Sequence, residues 1–394
     1  MADFPNTVYI LSFDRDIVVR ALRSVQKGDG LEYLEKIIQV PFELPPASSE
    51  EIQQVLFKIL SSIIETSDKN WDEEYWNGMF NFGIAPYLNT IRDVIRFTNT
   101  FELKYALLKD ETYPIDLLGL TCLQVFEPQI FSRLPLQKEI LCGVYINKKN
   151  TAVKTKEKRI QSAYDLIYTG ITKGRAEKSR NILAQLFPQL GSSFSPSMSE
   201  YNIRRYNHDE ALSKGYISCE KCFDRYFSLT LEETAISRQI VDHLLFKATA
   251  EELTEGILEI SSSNRINSFL DQINANFSLK NDLSINTDRA ELILQCLLLC
   301  WHKLNDDYYY KEFFSMSLPI YLDRIVPNLL HFIKEPFQYN FLYHVFNLPK
   351  MDISTIFLVM TYLEKIITYL LKIGIPVQRS QLKSLNLKNW RERL

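Results

Sequence analysis

Glycine and proline are scarce, 12 and 15 in 394 residues. That excludes collagen-like and long low-complexity stretches, and abundant Leu, Ile, Lys and Glu lean the chain toward helix. Cysteine is scarcer still. Cys122, Cys142, Cys219, Cys222, Cys296 and Cys300 follow no regular spacing, which fits a reduced, cytoplasmic protein better than a disulfide scaffold. The first apolar run follows Asp3 with no basic leader before it. The longest apolar run, 353–375, carries Glu364, Lys365 and Lys372, and a charge at mid-membrane costs roughly 2.5–3.5 kcal/mol. It reads as an amphipathic helix, so no membrane span is expected. A net charge of −3 makes no case for nucleic acid over the whole chain.

Catalytic signals are also missing. The five histidines are scattered, and no Ser/His/Asp or Cys/His nucleophile arrangement can be drawn. Cys219-Glu-Lys-Cys222 is a lone C-x-x-C, and structural zinc wants four ligands. His208 and His243 stand at no standard spacing from it, so ordinary cysteines are expected. Cys296 and Cys300, at i and i+4 in an apolar stretch, read as core. No catalytic residue and no metal ligand is assigned.

What is present begins at the amino end. Thr7 to Phe13 (TVYILSF) reads as a buried strand, followed by Asp14, Arg15 and Asp16 and then a helix from Ile17 to Leu22. Charges at the carboxyl end of a buried strand, just before a helix, are where open α/β folds place ligand chemistry. Ile37 to Val40 reads as a second strand, stopped by Pro41, Pro45 and Pro46. Ser48 with Glu51 three residues on signals a capping box. The helix behind it sets Ile52, Val55, Leu56, Ile59, Leu60, Ile63 and Ile64 on one face. Residues 7–65 thus read strand, helix, strand, helix. Two strands make no sheet with a core, so their neighbours are expected elsewhere.

Further on the strand signals thin out. Asp72, Glu73 and Glu74 read as a helix start, Tyr87 to Leu108 as a helix broken near Thr100, and Ile115 to Phe126 as another. Residues 147–205 hold 12 Lys and Arg against 4 acids, a local +8 that leaves −11 for the rest of the chain. Such a zone binds nucleic acid by neutralising phosphates, forms a solvated helix face, or meets the acidic remainder of the molecule. Gly191 to Ser199 reads as a loop. Amphipathic helices are expected near 235–248, 250–260, 264–276, 287–303, 318–334 and 353–374, with no fixed repeat.

Three stretches together resemble one family: ADFPNTVYILSFDRDIVVRAL with YLEKIIQVPFELP, then 84–131 with its Arg-Asp-Val-x-Arg and Ile-Asp-Leu-Leu-x-Leu helices, then DRYFSLTL at 224–231. They look like the carboxyl side of the KAP-family P-loop NTPase domain. The likeness covers roughly residues 2–240. Such NTPases bind ATP and Mg²⁺ through a G-x-x-x-x-G-K-[ST] loop, a string that occurs nowhere in this chain. The resemblance therefore implies the later part of a longer NTPase, inactive alone, which needs the remainder of the domain or a partner subunit, with self-association a further option.

With the amphipathic pattern beyond residue 230, where the likeness ends near 240, the expected fold is mainly α: an α/β remnant of the NTPase core (1–66), a helical lid (67–145), a basic helical segment (146–232) and a C-terminal helical domain (233–394). Asp14 and Arg15 are then expected to sense nucleotide phosphate, with Arg92 and Arg96 facing the nucleotide from the lid. The plainer alternatives are a helix cap for Asp14, an ion pair for Arg15, and salt bridges to Asp93 or Glu102 for the later arginines. The implied role is nucleotide sensing and transduction to a helical effector, in the setting of antiphage defence. The alternative is a non-catalytic helical interaction module that binds nucleic acid through 147–205.

Overall fold

The computed structural model describes residues 8–26, 29–38, 40–43, 45–64, 71–143, 153–191, 203, 205–228, 235–278, 287–304, 318–333, 337–356 and 358–361. The chain divides into two compact units, 1–51 and 52–394.

In the first unit, α1 (Arg15–Gln26) packs on α2 (Gly30–Ile37). Gly30 permits that approach, since a Cβ there would stand 2.3 Å from the Val19 carbonyl oxygen. Neither expected strand is present among the described residues, which exclude Gln39. Residues 8–14 carry no regular structure, Thr7 lies outside the described residues, and Ile37 and Ile38 are the end and C-cap of α2. Among the described residues the α/β remnant is absent and every regular element is helical. The physical reason is that strand propensity needs a neighbouring strand to pair with. In GLEYLEKI the Asp29 cap, accepting from the Leu31 N–H, lets helix win instead.

The second unit is built on periodicity and caps. α3 (Ser49–Ile63) opens with the expected reciprocal Ser48–Glu51 pair and buries Ile52, Leu56 and Leu60. α4 (Glu73–Gly78) starts on the Asp72 cap and runs into a π-helical turn, Met79–Ile84. α5 (Ile91–Leu108) begins at a Thr90–Asp93 capping box and is continuous. The expected break at Thr100 does not occur: its hydroxyl bonds back to the Arg96 carbonyl at 2.9 Å within the helix, and the interruption falls earlier, at 88–90, between the turn Ala85–Tyr87 and α5.

α6 (Pro114–Phe126) is the central helix, buried without a gap from Ile115 to Leu123. It packs against α5, the π-helical turn and a later helix, α8. Gly119 lets the Met79 thioether approach to 2.8 Å from where a Cβ would stand. α7 (Val153–Tyr168) and α8 (Lys173–Leu186) carry part of the basic zone. The 191–199 loop lies mostly outside the described residues.

Past α9 (His208–Lys214), helices α10 (Arg238–Phe246), α11 (Ala250–Ser262), α12 (Ile266–Asn276), α13 (Thr287–Cys300) and α14 (Leu318–Phe332) surround one apolar core, as their periodicity predicts. Cys296 and Cys300 lie within it, and all six cysteines are buried and unpaired. The 353–374 helix is described only to residue 361. Among the described residues no helix is long and apolar enough to cross a membrane.

Candidate functional site

In the first unit, Asp14 caps α1. Its carboxylate accepts from the Ile17 N–H at 3.0 Å, the plainer of its two expected roles. Arg15 pairs with Glu43 at 3.2 Å, both side chains more than half exposed. With no phosphate-cradling Gly-rich loop in the sequence, and with these two side chains already engaged, the residues of this chain do not by themselves make a triphosphate site. No chemical step is derived through ATP or Mg²⁺.

The α5 arginines differ from each other. Arg92 is exposed near the helix start. Arg96 reaches the end of α6, donating to the Val125 carbonyl at 3.4 Å with its guanidinium 5.8 Å from the Phe126 ring centre. From the other side, α8 sends Arg175 to the same helix end. It holds the buried Glu127 carboxylate through two nitrogens, at 2.7 and 2.9 Å, and lies 3.5 Å from the Phe126 carbonyl. Lys178 donates to the Pro86 carbonyl at 3.3 Å and sits over the Tyr87 ring, which stacks on Phe126 at 5.4 Å. Cations at a helix carboxyl end oppose its partial negative charge, which favours these contacts. Burial and the nearby Glu127 push the Tyr87 hydroxyl up, so it stays protonated.

A second convergence joins α5 to α10. Glu111, just beyond α5, accepts from Arg225 at 3.0 Å, from the Ser237 hydroxyl at 2.5 Å and from the Arg238 N–H at 3.1 Å. Ser237 is the N-cap of α10 but makes no side-chain cap. Glu111, 126 positions upstream, caps the helix in its place, and a carboxylate at a helix start is favourable. Arg238 also donates to the Lys214 carbonyl and stands 3.8 Å from Asp242.

Beside this joint lies a cavity of about 620 Å³ between the Lys109–Pro114 segment and α10, with Ile64 and Trp71 in its wall. It carries charges of both signs, among them Lys109, Asp110, Asp242 and Lys247. Burial raises the Asp242 pKa, against the pull of Arg238 and Lys247. None of Asp14, Arg15, Arg92 or Arg96 lines this cavity.

Deeper in the unit, Asp116 is fully buried. It accepts from the Tyr75 hydroxyl at 2.5 Å and the Ile217 N–H at 2.6 Å, with the Tyr226 hydroxyl 3.3 Å away. Cys219 donates to Cys222, which raises the first thiol and lowers the second; Arg225 and Arg238 add to the lowering. Among the described residues no group of three or more His, Cys, Asp or Glu could hold a metal ion. The Glu111 and Asp116 networks join residues more than 100 positions apart; Asp116 is the Asp of the quoted Ile-Asp-Leu-Leu-x-Leu helix, whereas no motif marks Glu111. The quoted 84–131 stretch contains both carboxylates, but the motif does not tell which distant residues Asp116 meets.

Residues 1–108 match the KAP family P-loop domain. The phage T7 exclusion protein of Escherichia coli (strain K12) is 26% identical over 139 residues, covering 33% of this chain. The matched part of the chain spans only 18% of that relative's length. No solved structure matches.

Proposed function

From the KAP-type match over residues 1–108, we propose that this chain is the carboxyl-side, state-reading portion of a signalling NTPase. In this reading the phosphate-cradling loop and Mg²⁺ ligands come from residues outside these 394, on a partner subunit or a longer form. Asp14 and Arg15 in the first unit and Arg92 in the second stand as separate candidates for nucleotide sensing, and the helices from α5 onward carry the nucleotide state to an output. The phage exclusion relative motivates a role in antiphage defence.

One observation carries the reading. Among the described residues of the first unit only Gly30 and Leu34 are buried. Val8 is 86% exposed, Ile10 92% and Phe42 87%. An apolar, strand-forming sequence left this bare wants a sheet edge to pair with. Hydrogen exchange tests it. Amides 8–13 are expected to exchange freely in this chain alone and to become protected when a polypeptide bearing the P-loop is added. Calorimetry is expected to give no ATP binding by this chain alone, and micromolar affinity would overturn the proposal.

A further inference from the structure

The cluster at the carboxyl end of α6 has a property that nucleotide sensing does not use. Arg96 from α5 and Arg175 and Lys178 from α8 are all exposed cations brought within reach of four consecutive or stacked residues, Tyr87, Val125, Phe126 and Glu127. Among the described contacts Glu127 is the carboxylate that meets them, and it is 2% exposed and already held by Arg175, while Glu177 on α8 faces Lys173. No carboxylate pairs with Arg96 or Lys178 among the described contacts. Each cation is steadied by one backbone acceptor, yet each keeps N–H groups unspent: Arg96 its Nε and Nη1, Arg175 its Nη1, Lys178 two of three protons.

We propose that Arg96, Arg175 and Lys178 form a face that tracks the phosphate backbone of duplex nucleic acid. The two α8 cations belong to the segment with the local +8 charge, and the fold adds Arg96 from 79 positions upstream of Arg175. Tyr87 and Phe126 lie beneath the cations rather than beside them, so the face presents no aromatic platform for stacking bases. The exposed apolar side chains beside Arg96 on α5, Ile91 and Ile95, are 36% and 40% exposed, a minor part of the face next to its three cations. Sequence-independent phosphate contact is what remains. This inference is independent of the nucleotide reading, because it needs neither a P-loop nor a triphosphate.

The test is fluorescence anisotropy of a labelled 20-base-pair duplex of mixed sequence with the full chain. Three phosphate contacts predict that affinity falls about 40-fold between 50 and 200 mM KCl. The double variant Arg96→Glu/Lys178→Glu is expected to bind at least about tenfold more weakly at 50 mM, with a salt exponent lower by about 1.8. Arg175 is left in place because Glu127 depends on it. If circular dichroism shows the reversal variant misfolded, Arg96→Gln/Lys178→Gln is measured in its place. The charge-keeping pair Arg96→Lys/Lys178→Arg should bind within about threefold of the parent, since most of the affinity is electrostatic.

Three outcomes overturn the proposal. One is no duplex binding at 50 mM KCl. Another is an equal loss on reversing the exposed cations Lys58 and Lys303 instead. The last is tighter binding of poly-glutamate than of duplex at matched charge, which would point to an acidic protein.

Discussion

Two uncharged apolar runs of similar length meet opposite fates. Val8 to Phe13 is exposed along its whole length, while Leu117 to Leu123 in α6 is buried along its whole length. Hydrophobicity alone does not decide between them. The α6 run is enclosed because α5, α8 and the π-helical turn each bring a matching apolar face and because Gly119 admits Met79. The 8–13 run has no such faces within its own unit. The lesson is that an apolar stretch becomes core only when the rest of the chain supplies its partners.

The comparison can be broken from its strong end first. Asp116→Ala removes the acceptor of two buried donors, Tyr75 Oη and the Ile217 N–H. It should cost about 4 kcal/mol in a denaturant titration; a loss under about 1 kcal/mol would show that the network is dispensable. Leu118→Ala, at a fully buried site, should cost about 3 kcal/mol and leave a cavity. Glu111→Ala strands the largely buried Arg225 and uncaps α10. About 2 kcal/mol is expected, with faster amide exchange confined to the first turn of α10 and to residues around Arg225.

Lys104 gives a smaller, pH-dependent effect. Its ammonium lies over the Phe131 ring without a hydrogen-bond partner, and burial pushes its pKa down from 10.5 to about 8. Between those values the unfolded chain binds more protons than the folded one. Stability therefore rises as pH increases from about 8 to 10.5, and Lys104→Met should lack that rise. Last, Ile10→Ala should leave the unfolding free energy of this chain, from denaturant titration, unchanged within about 0.5 kcal/mol. A larger loss would mean that the 8–13 run is already packed, and the contrast with α6 would fall.

How much of this was legible beforehand follows from the range of each interaction. Helices announced by local signals are where the sequence puts them. Ser48 and Glu51 start α3, and the apolar spacing beyond residue 235 marks α10 to α14. The two strands were misread because TVYILSF has strand-forming residues but no described partner, while Asp29 turns the next stretch into helix. Asp14 and Arg15 took the roles of cap and ion pair that their neighbours allow. Invisible from sequence were the meetings made only by folding: Arg96 with Arg175 at one helix end, and Glu111 with Ser237 and Arg225. The first depends on how α5, α6 and α8 cross and the second on how α10 meets the segment after α5, which no spacing rule encodes.

The Glu111 cap has a consequence for dissecting the gene. Residue 233 looks like a natural place to begin a fragment, since an apolar core gathers beyond it. Yet the first helix of that fragment would start on Ser237, whose own hydroxyl is turned to a residue left behind in the discarded half. A boundary drawn by helix content would cut through a shared joint. Fragments carrying Glu111 and Arg225 should therefore express better than the shorter piece that begins at residue 233.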